Sequence, residues 1–240
     1  MQHSTNFGFD VPDDFPIMEL EAFHAAVTTH KDTHAVEWGE WAGGCNGVLY
    51  RYLEAAAADE SFTASVVAHG TAPVIDERVA QETALFAFFA AGLSSLECLA
   101  YGLCFVGAIV DPAAFALTAT PQRVWVLSVT DAYLQRFPQE QLAQTLQAVN
   151  TSPALASFKD VRNVLTHRAA PGRAHGVALA DTVFVGGGGV GAPPGSSSMT
   201  GTSWLGQPLD SQTTAAPRKW LAGALTEITS AATTFASGHL

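Results

Sequence analysis

The chain has 240 residues, 48% of them hydrophobic and 14% charged, which is enough apolar matter to bury a core and argues against wholesale disorder. A formal charge of -11 argues against a surface that coats nucleic acid, because such surfaces need an excess of Lys and Arg. Three cysteines, Cys45, Cys98 and Cys104, give an odd count without the spacing of a zinc knuckle or redox pair, and they read as reduced, buried thiols.

Met1 to Pro16 carries Asp10, Asp13 and Asp14, no Lys or Arg and no long apolar run, so it does not read as a secretory signal. It is expected to be irregular, and the expected location is cytoplasmic. Met18 to about Thr29 and Asp32 to about Asp59 read as helices rich in Ala, Leu and Glu. Gly43, Gly44 and Gly47 interrupt the second and mark either a kink or a close helix crossing.

Val74 to Asp111 is the most apolar segment, with Glu97 as the sole charge between Glu82 and Asp111. Its length would suffice for a membrane span. A mid-segment carboxylate, Ser94, Ser95 and Tyr101, and the lack of flanking basic clusters favour a buried core helix, with no membrane partner. Pro112 and Pro121 bracket a break. Arg123 to Val129 reads as a strand or a buried turn, Thr130 to Phe137 as helix, and Pro138 to about Val149 as a helix with Pro at its first position.

Ser152-Pro153 opens the next helix with an N-cap and a first-turn proline, and Pro171-Gly172 closes it. Residues 177–211 run from Val183-Phe184-Val185 into Gly, Pro and Ser, as a short hairpin or a loop. A last helix starts near Ala216-Pro217 and reaches about Ser237, with Trp220, Leu221, Leu225, Ile228 and Phe235 on one face. The expected fold class is all-α: one helical domain, 1–240, with a Gly-rich loop or short β-hairpin before the C-terminal helix.

Chemistry concentrates in the helix after Ser152. Residues 1–100 hold 15 of 22 acids and 3 of 11 bases, whereas Lys159, Arg162, Arg168 and Arg173 face the single acid Asp160. Such a patch suits a small phosphate footprint. At 100° per residue Asn163 and His167 share a helix face, and Arg162 can bring its guanidinium round to them. Glu97, unpaired in a core helix, would cost several kcal/mol and needs a partner, for which Arg162 is the natural candidate.

Arg162-Asn163-x3-His167 resembles the signature of the HEPN superfamily, all-α domains that often carry Arg, four to six residues, then His, commonly with a polar residue after the Arg. The resemblance rests on about Pro153 to Gly172. It implies a HEPN-like helical bundle that binds RNA or acts as a metal-independent endoribonuclease, toxin-like or defence-related, with RNA as a partner, a homodimer as the assembly, a regulatory protein as a further partner and no cofactor. It also implies His167 as general base or acid, Arg162 as the charge-stabilising group and Asn163 as the orienting one, with Glu97, Lys159 and Arg168 supporting or binding. Members regulated through a tyrosine two residues after the His differ from this chain, which has Ala169 there. Arg168-x6-His175 fits the spacing too, but Pro171 and Gly172 break any helix through it.

Other readings stand beside it. Arg162 can simply pair a carboxylate while His167 decorates a helix end, in a non-catalytic helical module that binds a ligand or a protein. Glu21, His24, His30, His34, Glu37 and Glu40 could belong to a helical metalloprotein or to an acidic solvated face. Gly186-x-Gly188-x-x-Gly191 matches a dinucleotide fingerprint in letters, but Ala192-Pro193-Pro194 follows where a helix should start, so it reads as a loop.

Overall fold

A computed structural model describes residues 1–240 apart from 5, 6, 9, 116–125, 168–171, 180–181 and 187–200, and describes the backbone alone for 167, 175–179 and 182–186. The described residues are mostly helical, with a small antiparallel sheet. The N-terminal segment forms a minimal hairpin, β1 (Gln2–His3) and β2 (Asp10–Val11), before α1 (Ile17–Thr28). Two long helices then dominate: α2 (Ala35–His69) and α3 (Ile75–Val110), joined by a short turn into an antiparallel pair about 50 Å long. α2 runs ten residues beyond the expected end near Asp59, because Phe62 and Val66 continue its buried face onto α3. Asp76 and Glu77 favour the N-terminus of α3, and Pro112 pushes Asp111 out of helical geometry at its end.

Two of the α2 glycines, Gly44 and Gly47, serve a close crossing with α3. A Cβ on Gly44 would lie 3.0 Å from both the Gly102 backbone and the Cys98 carbonyl oxygen, so only glycine allows α2 and α3 to approach this closely. Gly43, one residue away, faces open space and has no part in the contact. Trp41, Leu49, Tyr52 and Phe62 of α2 and Leu85, Phe88 and Leu93 of α3 are fully buried, each contributing about 2–3 kcal/mol by leaving water. Cys45 and Cys104 are buried free thiols and Cys98 is half-buried. α3 is long and apolar enough to cross a membrane, and most of its apolar stretch is buried against its neighbours.

α4 (Val126–Arg136), α5 (Gln141–Asn150), α6 (Pro153–His167) and α7 (Ala215–His239) pack around this pair. Val126 to Val129 therefore belongs to a helix, which corrects the expected strand or turn; Arg123 lies outside the described residues. Pro138 stands in the turn before α5 and not at its first helical position, since the helix begins at Gln141. β3 (Arg173–Leu179), β4 (Thr182–Gly186), β5 (Gly201–Trp204) and β6 (Gln207–Pro208) form an antiparallel sheet of order β4-β3-β5-β6, with Arg173 opposite Trp204. The predicted Val183 to Val185 hairpin strand is β4. Gly188 and Gly191 of the fingerprint lie outside the described residues.

Two ion-pair networks close the fold. Arg218 on α7 donates two hydrogen bonds to Asp14, at 2.7 and 2.9 Å, and one to Asp59 on α2 at 2.8 Å. Arg173 on β3 is 1% exposed at its side chain and reaches Glu82 at 2.8 Å. It also donates to the Gln81 side chain at 2.6 Å and to the Thr71 carbonyl at 2.9 Å, pinning the sheet to the start of α3. Arg173 is thus a core residue, which corrects its expected place in a cationic surface patch.

Candidate functional site

α6 is built as its local sequence requires. The Leu155 backbone N–H donates to the Ser152 hydroxyl at 3.1 Å, an N-cap contact onto the third helical residue, with Pro153 in the first position. The inward face is Leu155 and Phe158, both buried, followed by the partly buried Val161 and Leu165. Phe158 anchors the helix. Its ring lies 5.1 Å from that of Phe89 and 5.7 Å from that of Phe88, in the space over Gly92, where an added Cβ would come within 2.9 Å of it.

One turn beyond Phe158, Arg162 arrives beside Glu97 of α3. Arg162 Nη2 and Glu97 Oε1 are 3.7 Å apart, with side-chain exposures of 26% and 31%. That is an ion pair without a hydrogen bond, so it steers the guanidinium but leaves its N–H groups available. Burial pushes the Glu97 carboxyl upward from its ordinary range, and Arg162 and Lys159 pull it partly back. Lys159 is half-buried, one turn before Arg162, and makes no hydrogen bond or ion pair among the described residues. Asn163 and Thr166 are exposed on the same face.

His167 is the last residue of α6, one turn after Asn163; its side chain lies outside the described residues, as does all of Arg168. His175 of the alternative spacing sits on strand β3, not on a helix. Five of the polar positions named from sequence, Lys159, Arg162, Asn163, His167 and Glu97, therefore fall on one helix and the segment of α3 beneath it.

The acidic and histidine residues near the N-terminus are spread over separate roles. Glu21 accepts a hydrogen bond from Ser4 at 2.7 Å. His24 packs against Trp41, and burial lowers its pKa against the opposing pull of Glu21. Glu40 accepts a hydrogen bond from the Tyr101 hydroxyl at 2.6 Å. His30 lies in the turn after α1, and His34 just before α2. Among the described residues no three ligating side chains converge as a metal site would require.

The structure adds a feature the sequence did not suggest. An open cavity of about 480 Å³ lies between the α5–α6 turn and α7, lined by Ser152, Lys219, Trp220, Gly223 and Glu227 among others. The seven-residue spacing of Trp220 and Glu227 along α7 was legible, but their junction with Ser152 depends on how α6 and α7 pack.

Compared with protein-family models, curated proteins and solved structures, the chain shows no match in any of the three.

Proposed function

We propose that this chain is a HEPN-like helical domain that binds single-stranded RNA and cleaves it at the α6 motif, working as a homodimer in the cytoplasm. The observation that carries the reading is the cationic, solvent-facing side of α6, where Lys159, Arg162 and Asn163 stand over Glu97 on a helix whose last residue is His167. α6 carries Lys159 and Arg162 against one acid of its own, Asp160, with Glu97 of α3 beneath them, in a chain of net charge -11.

In this reading His167 takes the proton of the ribose 2′-hydroxyl, whose oxygen attacks the adjacent phosphorus. Arg162 stabilises the charge that develops on the phosphorane oxygens, and Asn163 orients the phosphate or the imidazole. The P–O5′ bond breaks as the imidazolium so formed, directly or through water, returns its proton to the departing 5′-oxygen, leaving a 2′,3′-cyclic phosphate and a 5′-hydroxyl. Metal independence, the dimer and a regulatory partner enter through the resemblance of Arg162-Asn163-x3-His167 to the superfamily signature.

The test is cleavage of single-stranded RNA by wild type and by His167→Ala. Cyclic-phosphate ends with wild type, and their loss in a folded His167→Ala protein of unchanged oligomeric state, support the enzyme. An absence of cleavage by wild type over a wide concentration range refutes it. A second reading, a non-catalytic ligand-binding module, draws on the cavity beside Trp220. It predicts that small-molecule binding responds to Trp220→Ala and not to His167→Ala.

A further inference from the structure

Resting on the RNA-binding reading above, we infer that Lys159 and Arg162 contact two successive backbone phosphates of a single strand, with Lys159 as the second phosphate ligand of the site. The two residues are three apart on α6, a rise of about 4.5 Å, and their long stems can widen that to the separation of neighbouring phosphates in an extended strand. Each cation has donors to give. Lys159 has no hydrogen bond or ion pair among the described residues, and the pair of Arg162 with Glu97, at 3.7 Å, uses none of its N–H groups in a hydrogen bond.

The neighbouring side chains fit the same ligand. Asn163 lies on the same exposed face and can donate to phosphate or sugar oxygens, whereas the Thr166 hydroxyl there already donates to the Arg162 carbonyl at 2.7 Å. Asp160 is turned 100° from Lys159, toward the far edge of that face. Arg173, which the sequence placed with these cations, is buried on Glu82 and contributes nothing to the surface. The described cationic face is therefore two residues wide. Two described cations suit a short single-strand footprint, with Glu97, Asp160 and the acidic remainder of the chain disfavouring a longer one.

The test is the salt dependence of binding to a fluorescein-labelled 2′-O-methyl oligouridylate, which has no free 2′-hydroxyl and so separates binding from cleavage. Two phosphate contacts on a single strand give a slope of log affinity against log salt of about -1.4. Lys159→Gln should bring this to about -0.7 and weaken binding several-fold at low salt, with Lys159→Arg restoring both. Arg162→Gln should do the same.

A Lys159→Gln protein that keeps the wild-type slope overturns the inference; if Arg162→Gln alone weakens binding, the RNA-binding reading survives it. Wild type that cleaves RNA but shows no salt-dependent binding also removes the two-phosphate footprint without touching the enzyme. Equal affinity for a duplex of the same length overturns the single-strand assignment. Competition by inorganic triphosphate as strong as by the oligonucleotide overturns the nucleic-acid assignment in favour of a free polyphosphate.

Discussion

The Arg162 guanidinium stops 3.7 Å from the Glu97 carboxylate, close enough to feel its charge and too far to hydrogen-bond to it. The pair is partly open to solvent, so it is worth at most about 1 kcal/mol to folding. The contrast with Arg173 and Glu82 is instructive: that pair is 2.8 Å apart with the arginine side chain 1% exposed, and it is bound into the core.

Glu97 should make the protein slightly less stable as pH rises. Burial, only partly opposed by Arg162 and Lys159, raises its carboxyl pKa in the folded state. The folded protein then holds the proton more tightly than the unfolded chain, so stability falls as pH climbs from the ordinary glutamate pKa through the raised folded value. Glu97→Gln should remove that fall. Urea midpoints of the two proteins from about pH 4 to about pH 8 should coincide at the acid end and diverge above it, by less than about 1 kcal/mol in favour of Glu97→Gln. A divergence of the opposite sign would show that pairing outweighs burial.

Asp14 should behave the other way. Burial is the largest single effect and would raise its pKa, but the hydrogen bonds and charge of Arg218, with smaller help from Tyr52, together outweigh it and hold the carboxyl below its ordinary range. The contribution is therefore present above the pKa of an unfolded aspartate and is lost as pH falls through the lower folded value. Asp14→Asn should cost about 1 kcal/mol at neutral pH, allowing for the partial exposure of the carboxylate, and the difference from wild type should close on acidification. Thermal unfolding followed over pH reads this directly.

Two neighbouring glycines should respond in opposite directions to the same change. Gly44→Ala places a Cβ 3.0 Å from the backbone of Gly102 and must push α2 from α3, at a cost of about 1–3 kcal/mol. Gly43→Ala meets nothing within 4 Å and should gain up to about 1 kcal/mol through helix propensity. Equal effects of the two substitutions in chemical denaturation would contradict the close crossing.

Arg173→Met should destabilise the protein by about 3–5 kcal/mol, because Glu82 would be left buried without its countercharge. Adding Glu82→Gln should recover a good part of the loss. If Arg173 were instead a surface cation, the single substitution would fall within about 0.5 kcal/mol of wild type in the same denaturation experiment.

Local signals were enough for α1, α3, α6 and α7, where apolar periodicity, Ser152-Pro153 and Pro112 mark faces and ends that depend only on nearby residues. They also named Glu97 as a carboxylate in need of a partner, and Arg162 as that partner, because a lone charge in an apolar helix is costly wherever the helix packs. The direction in which Arg173 points was beyond them. In the sequence it continues the run of Lys159, Arg162 and Arg168, but β3 turns it between α3 and β5, onto Glu82 and Gln81, 91 and 92 residues earlier. The same holds for Gly43 and Gly44, alike in sequence, of which only Gly44 meets Gly102. Helix formation follows largely from residues within a few turns, so the sequence alone determined α1, α3, α6 and α7 and the polar face of α6, while the end of α2 and the start of α4 followed from packing. Burial is a property of what arrives from elsewhere in the chain, and so the tertiary structure alone decided which cations stay at the surface and where two helices touch.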